Sequence, residues 1–208
     1  DFASHLISLA QSKISDKKIE IKGNIYAFDS STIDLCLSVF CWAHFRKTKA
    51  GIKLHTLFDI NTQIPVFIHI TEANIHDVNA MDVIDYEPLA YYIFDRAYVD
   101  YERLFRITLA KAFFVVRAKS NVKFKRMYSN KIDKSKGVKY DQTGKIDGVY
   151  SAKNYPEKIR KVKFHDAEKD RILIFLTNNF ELKAHEIALL YKQRWQVELF
   201  FKNQFESH

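Results

Sequence analysis

The sequence predicts a mixed α/β domain. Three observations carry that expectation. Short apolar runs bounded by turn residues read as strands, and longer segments with apolar residues three and four apart read as helices. Their order, β-β-β-α-β-α-β, then a break in character, then β and α, is that of a mixed sheet with helices packed against it. At 208 residues, 47% hydrophobic and 14% aromatic, the chain has enough apolar material for a real core.

The elements follow in order. Phe2, Leu6, Leu9 and Ala10 lie along one face of a short helix expected over 2–14. Gly23 introduces the run Ile25-Tyr26-Ala27-Phe28, which is expected to end at Asp29. After Gly51, residues Ile52, Leu54, Thr56 and Phe58 alternate with Lys53, His55 and Leu57, the pattern of a strand with one polar face. Pro65 opens a third strand, Val66 to Ile70; its missing N–H suits an edge or first-residue position. Tyr91-Tyr92-Ile93-Phe94 is a short buried strand running into Asp95. Leu104, Ile107 and Leu109 mark a helix within 100–111, and Phe113 to Val116 the next strand.

Residues 120–170 differ: they are basic, carry turn signals at Gly137, Gly144 and Gly148, and scatter Tyr128, Tyr140, Tyr150 and Tyr155. This stretch reads as a β-rich insertion. The core resumes with Ile172 to Leu176 and a single helix from about Lys183 to Lys202. The expected division is therefore 1–119 as the first part of the core, 120–170 as the insertion, and 171–208 as the end of the core.

Charge follows the same division. The chain carries +8 overall, but Arg117 to Arg171 holds 17 basic and 7 acidic residues, which leaves the remainder slightly acidic. A basic segment of this kind favours a polyanionic partner, because each phosphate it neutralises releases counterions. Lys119, Lys123, Lys125 and Arg126 are its candidate DNA contacts. Cys36 and Cys41 read as reduced thiols, and no stretch approaches the roughly 18 apolar residues of a membrane span. A cytoplasmic protein is expected, and a start at Asp1 without methionine points to residues upstream.

The chemistry is carried by carboxylates. Phosphoryl transfer on DNA uses two hard cations about 3.5–4 Å apart, held by oxygen ligands. Asp29 and Asp95 each follow a short apolar run, in Phe28-Asp29-Ser30-Ser31-Thr32 and Phe94-Asp95-Arg96-Ala97-Tyr98. Asp after a strand is equally a turn or capping residue. On one continuous helix, Tyr191, Arg194 and Glu198 would share a face: an aromatic, a phosphate-binding fork and a carboxylate. The plain alternative is a surface Arg–Glu pair.

Together these residues resemble the DDE transposases of bacterial insertion sequences, specifically the family-four type with a Tyr-Arg-Glu-Lys signature. Tyr191, Arg194 and Glu198 match the first three members of the spacing Y-x2-R-x3-E-x6-K. Glu198-Leu199-Phe200-Phe201-Lys202, Trp42-Ala43-His44-Phe45-Arg46, Lys49 to His55 and Thr177-Asn178-Asn179 also look like that family. The resemblance implies an RNase H-like (retroviral-integrase-like) mixed sheet flanked by helices, with a β-rich insertion before the last catalytic helix. It implies that Asp29, Asp95 and Glu198 bind two Mg2+ ions, with Mn2+ as substitute. Tyr191, Arg194 and Lys202 would contact DNA. Double-stranded DNA, both transposon ends and target, is the implied partner, and a homodimer the implied assembly. The implied setting is bacterial and nucleoid-associated.

The chain departs from the pattern at three places. Phe205 stands where the signature has Lys, with Lys202 three residues early; Ala97 replaces a usual Gly; and 203–208 does not read as a continuation. A truncated copy is one expectation. The alternatives are a remnant that only binds DNA and an RNase H-like nuclease that only hydrolyses. Cys36, Cys41 and His44 lack the tight pairing of structural zinc and are set aside, and His76-Asp77 reads as a loop turn.

Overall fold

The structure, a computed structural model, describes residues 21–35, 44–46 and 49–205. The helix expected over 2–14 lies outside them, as do Cys36, Cys41, Trp42 and Ala43. The chain divides into two compact units, Asp1–Ile84 with Arg194–His208, and Asp85–Gln193.

The first unit is built on antiparallel strands: β1 (Ile25–Leu35), β2 (His44–Arg46), β3 (Lys49–Asp59) and β4 (Ile64–Glu72). β3 pairs with β1 along its length, with β4 over most of it and with β2 at its start. β1 does not stop at Asp29. It runs six residues further, because Ser30 to Leu35 continue the ladder with β3, and Asp29 lies opposite Thr56 in mid-strand. On the face expected to be polar, His55 is fully buried and Leu57 is buried beside it. Pro65 is the second residue of β4, which pairs with β3 alone among the described strands, and such an edge position suits its missing N–H.

The second unit holds the parallel pair β5 (Tyr91–Phe94) and β6 (Phe113–Arg117), joined by helix α1 (Tyr101–Leu109). Asp100 caps α1 by accepting from the Arg103 N–H, and Leu104 and Ile107 bury its inner face. From β6 the sheet continues antiparallel through β10 (Arg171–Thr177), β9 (Ile159–Asp166), β8 (Val138–Ile146) and β7 (Phe124–Ser129). Helix α2 (Val149–Asn154) lies between β8 and β9 in sequence. The mixed sheet is thus parallel at β5–β6 and antiparallel beyond.

Two of the three expected turn glycines behave as such. Gly137 takes φ +79° after a single 3-10 turn, and Gly148 takes φ +107° before α2. Gly144 does not. It sits inside β8, where an added Cβ would come within 2.3 Å of the Lys125 carbonyl oxygen, so its role is close backbone approach rather than chain reversal.

The largest departure from expectation is at the C-terminal helix. Two helices stand in its place, α3 (Ala184–Lys192) and α4 (Trp195–Phe205), separated by a turn at 193–194. Ala184, Ile187, Ala188, Leu190 and Tyr191 form the buried stripe of α3. A straight helix would bring Trp195 and Glu198 onto that stripe, yet both are exposed, while Val197 and Phe201 are buried. Leu190, Val197 and Phe201 nevertheless fall at i, i+7 and i+11, so the buried positions by themselves do not require the turn.

Candidate active site

In the first unit, Asp29, Thr56, Ala27 and Phe58 share one face of the β1–β3 pair, set by the register Asp29 opposite Thr56 and Ala27 opposite Phe58. Helix α4 packs against β1, and the Phe200 ring lies 5.4 Å from that of Phe58. That packing brings Arg194, immediately before α4, and Glu198, in its first turn, to Asp29. Arg194 Nη1 donates to Asp29 Oδ2 at 2.5 Å, and Nη2 donates to Glu198 Oε1. The other Asp29 oxygen accepts from the Ser30 N–H at 2.9 Å. Two carboxylates from distant parts of the sequence therefore converge on one guanidinium. The Arg194 and Asp29 side chains are mostly shielded, at 14% and 19% exposure, whereas Glu198 keeps 54%.

In the second unit, the fully buried strand β5 delivers Asp95 at its end. Tyr191 of α3 is buried, its ring 4.8 Å from that of Phe175, and its hydroxyl donates to Asp95 Oδ1 at 3.1 Å. Each of the three carboxylates singled out in sequence is thus hydrogen-bonded by Tyr191 or Arg194. The single helix expected there is interrupted at 193–194, with Tyr191 on α3 and Glu198 on α4. Among the described residues, no three His, Cys, Asp or Glu side chains gather into a ready-made metal cage. In the first unit Arg194 stands between the two acids.

The predicted DNA-contacting cations are spread out. Lys119 and Lys123 line a cavity of about 420 Å³ with Val99, Tyr101 and Tyr150, and Lys119 Nζ donates to the Val99 carbonyl at 3.1 Å. Lys125 and Arg126 are successive residues of β7, so they point to opposite faces of the sheet. Lys202 is exposed on α4. Of the motifs set aside, Asp77 opens a 3-10 turn and pairs with Lys53 at 3.0 Å, and His76 is exposed.

The Transposase DDE domain family matches residues 21–204, nearly the whole chain. The chain belongs to the DDE transposase family. It is 35% identical over 165 residues to a Sinorhizobium fredii protein named as a transposase, covering 77% of this chain and 46% of that protein. It is 28% identical over 214 residues to a Geobacillus stearothermophilus protein named as the transposase of insertion sequence element IS5377, covering 97% of this chain and 54% of that one. The chain spans about half the length of these relatives. A cryo-EM structure of piggyBac transposase, in a synaptic complex with hairpin DNA, superposes with a TM-score of 0.51 at 12% identity, over 88% of this chain and 40% of that one. That likeness carries the fold, an RNase H-like mixed sheet.

Several residues that shape this DDE domain escaped sequence reasoning. Arg160 of β9 and Asp141 of β8 form a bidentate ion pair, both almost fully buried, with bonds of 2.9 and 2.7 Å. The remaining Arg160 nitrogen donates to the Asn179 and Leu182 carbonyls, tying the sheet to the segment that leads into α3. Asn178 accepts from the Phe114 N–H and donates to the Ala112 carbonyl and the Thr108 hydroxyl. The family-like Thr177-Asn178-Asn179 stretch is therefore a brace. Lys192, at the end of α3, pairs with buried Asp166 at 2.9 Å. Burial alone would raise the Asp166 carboxyl, but its bonds from Lys192 and Arg171 outweigh burial and hold it below the usual range. Cross-strand pairing of this kind has no signature in local sequence.

Proposed function

We propose that this chain is the catalytic core of a DNA transposase of the Tyr-Arg-Glu-Lys type, with Asp29, Asp95 and Glu198 as its metal ligands. The observation that carries the reading is the bonding of these carboxylates: Asp29 and Glu198 to Arg194, and Asp95 to Tyr191. Asp29 and Glu198 already converge on a cation, and all three acids offer only oxygen donors, which suits a hard divalent ion, Mg2+ with Mn2+ as substitute. When bound, a pair of such ions activates the attacking oxygen and stabilises the leaving oxygen of a phosphodiester.

The chain's own residues do the rest. Asp29 is anchored in mid-strand by the Ser30 N–H, and Asp95 by the Tyr191 hydroxyl, so neither must be ordered when DNA arrives. Arg194 offers a planar fork to a phosphate near the cut, and Tyr191, Lys202, Lys119, Lys123, Lys125 and Arg126 extend the contact along DNA. Because Lys125 and Arg126 leave opposite faces of β7, they serve different strands or different segments of bound DNA. Residues 120–170 act as the basic insertion within the core. Hydrolysis frees a 3′-hydroxyl, which then attacks the opposite strand or the target duplex. The working assembly is a homodimer on paired ends, in a bacterial cytoplasm at the nucleoid. No helix among the described residues is long and apolar enough to cross a membrane.

The test is cleavage of labelled duplexes carrying the parent element's ends, in Mg2+ or Mn2+, by this chain and by Glu198→Gln. Metal-dependent cuts and joined or hairpin products, absent in the variant, are expected. Nicks alone would indicate a hydrolytic nuclease, and binding without cutting a DNA-binding remnant.

A further inference from the structure

Arg194 Nη1 bonds Asp29 and Nη2 bonds Glu198, so one guanidinium occupies the space between two acids that the sheet and α4 hold together. We infer that Arg194 is an internal counter-cation that competes with the divalent ion for Asp29 and Glu198, and that metal loading releases it to bind a DNA phosphate. The inference rests on the reading of those two acids as metal ligands.

Two carboxylates brought together without a cation repel each other and lower each other's tendency to stay charged. Arg194 removes that cost, and with Asp29 only 19% and Arg194 14% exposed, solvent screens the pair poorly. Because Nη1 and Nη2 each donate to a carboxylate, a phosphate that takes those two nitrogens end-on competes with Asp29 and Glu198 for them. The carboxylates therefore have two competing cationic partners, and the arginine two competing anionic ones. Binding of metal to the acids and of phosphate to Arg194 then favour each other, and linkage makes the effect reciprocal. Arg194 is in this sense a positioning residue: it keeps the empty acid pair together and becomes a DNA contact when they are filled.

The experiment is calorimetric titration of Mn2+ into the whole chain without DNA, for wild type, Arg194→Gln, Arg194→Lys and Asp29→Asn. Removing the competitor should tighten Mn2+ binding in Arg194→Gln by about fivefold or more, a typical size for coupled sites. Arg194→Lys, which keeps the charge but loses the fork, should fall between Arg194→Gln and wild type. It also keeps the test informative should the glutamine variant fold poorly. Asp29→Asn should lose the binding. If Asp29→Asn loses Mn2+ while both Arg194 variants bind it no more tightly than wild type, the competition is wrong and the metal site stands. If wild type itself takes up no Mn2+, the metal reading and the competition fall together.

Discussion

The Tyr191 hydroxyl donates to Asp95 Oδ1 at 3.1 Å, while the Tyr191 ring is buried against Phe175. A side chain read from sequence as a DNA contact is therefore first an anchor for a carboxylate. Tyr191→Phe keeps the ring and removes only that bond. The variant should stay folded, losing about 1 kcal/mol, since one net hydrogen bond is worth that much. Its metal-dependent cleavage should drop by roughly tenfold, the usual size for losing an orienting partner of a ligand. Unchanged cleavage would leave Tyr191 with a packing role only.

The Arg160–Asp141 pair should be a stability hinge of the second unit. Arg160→Leu strands the Asp141 carboxylate in the interior and frees two carbonyls, at Asn179 and Leu182. Breaking one side of a buried pair costs about 3–5 kcal/mol. Urea unfolding should show a midpoint shift of that size, and a shift under about 1 kcal/mol, the scale of an exposed pair, would contradict this account.

Asn178 should matter through its three side-chain bonds, to Phe114, Ala112 and Thr108. Asn178→Ala leaves the β6 N–H and a carbonyl without that partner, a loss of about 2 kcal/mol by the cost of orphaned polar groups. Asn178→Asp, which can still accept from the Phe114 N–H but cannot donate, should recover part of it. Equal losses in both variants would mean the donated bonds carry the whole effect.

Stability should depend on pH through His55. Burial first, with the positive field of His69 and Lys53 adding to it and Asp77 opposing, pushes this imidazole from 6.5 down to about 4. Its Nε2 contacts the Thr71 hydroxyl at 2.9 Å and its ring stacks near Phe28. As pH falls, the unfolded chain takes up the proton first. Stability is therefore complete above about 6.5 and declines towards pH 4, by at most about 3 kcal/mol from this group. Denaturation of wild type and His55→Gln across that window checks the sign: the variant should have the flatter profile, and equal slopes would acquit His55.

Strand and helix positions were legible where local pattern decides them. The apolar run Tyr91 to Phe94 became a fully buried strand, Leu104 and Ile107 became the inner face of a capped helix, and the stretch around Ile172 to Leu176 became β10. Asp29 and Asp95 stood out as acids after short apolar runs, and Glu198 by its spacing from Tyr191 and Arg194. Other features have no local cause. Asp29 lies within a strand because β3 continues to pair beyond it, and Gly144 is needed for the approach of β7.

By itself the sequence determined the mixed α/β class and the family, and it singled out the acids and cations proposed for the chemistry, because periodicity and motif spacing are properties of neighbouring residues. Tertiary structure alone decided the rest. It placed a turn at 193–194 within the stretch expected as one helix. It gave Asp95 to Tyr191 and Asp29 to Arg194, because bonds spanning 96 and 165 residues form only when packing brings separate elements face to face, whereas the Arg194–Glu198 pair is four residues apart and local.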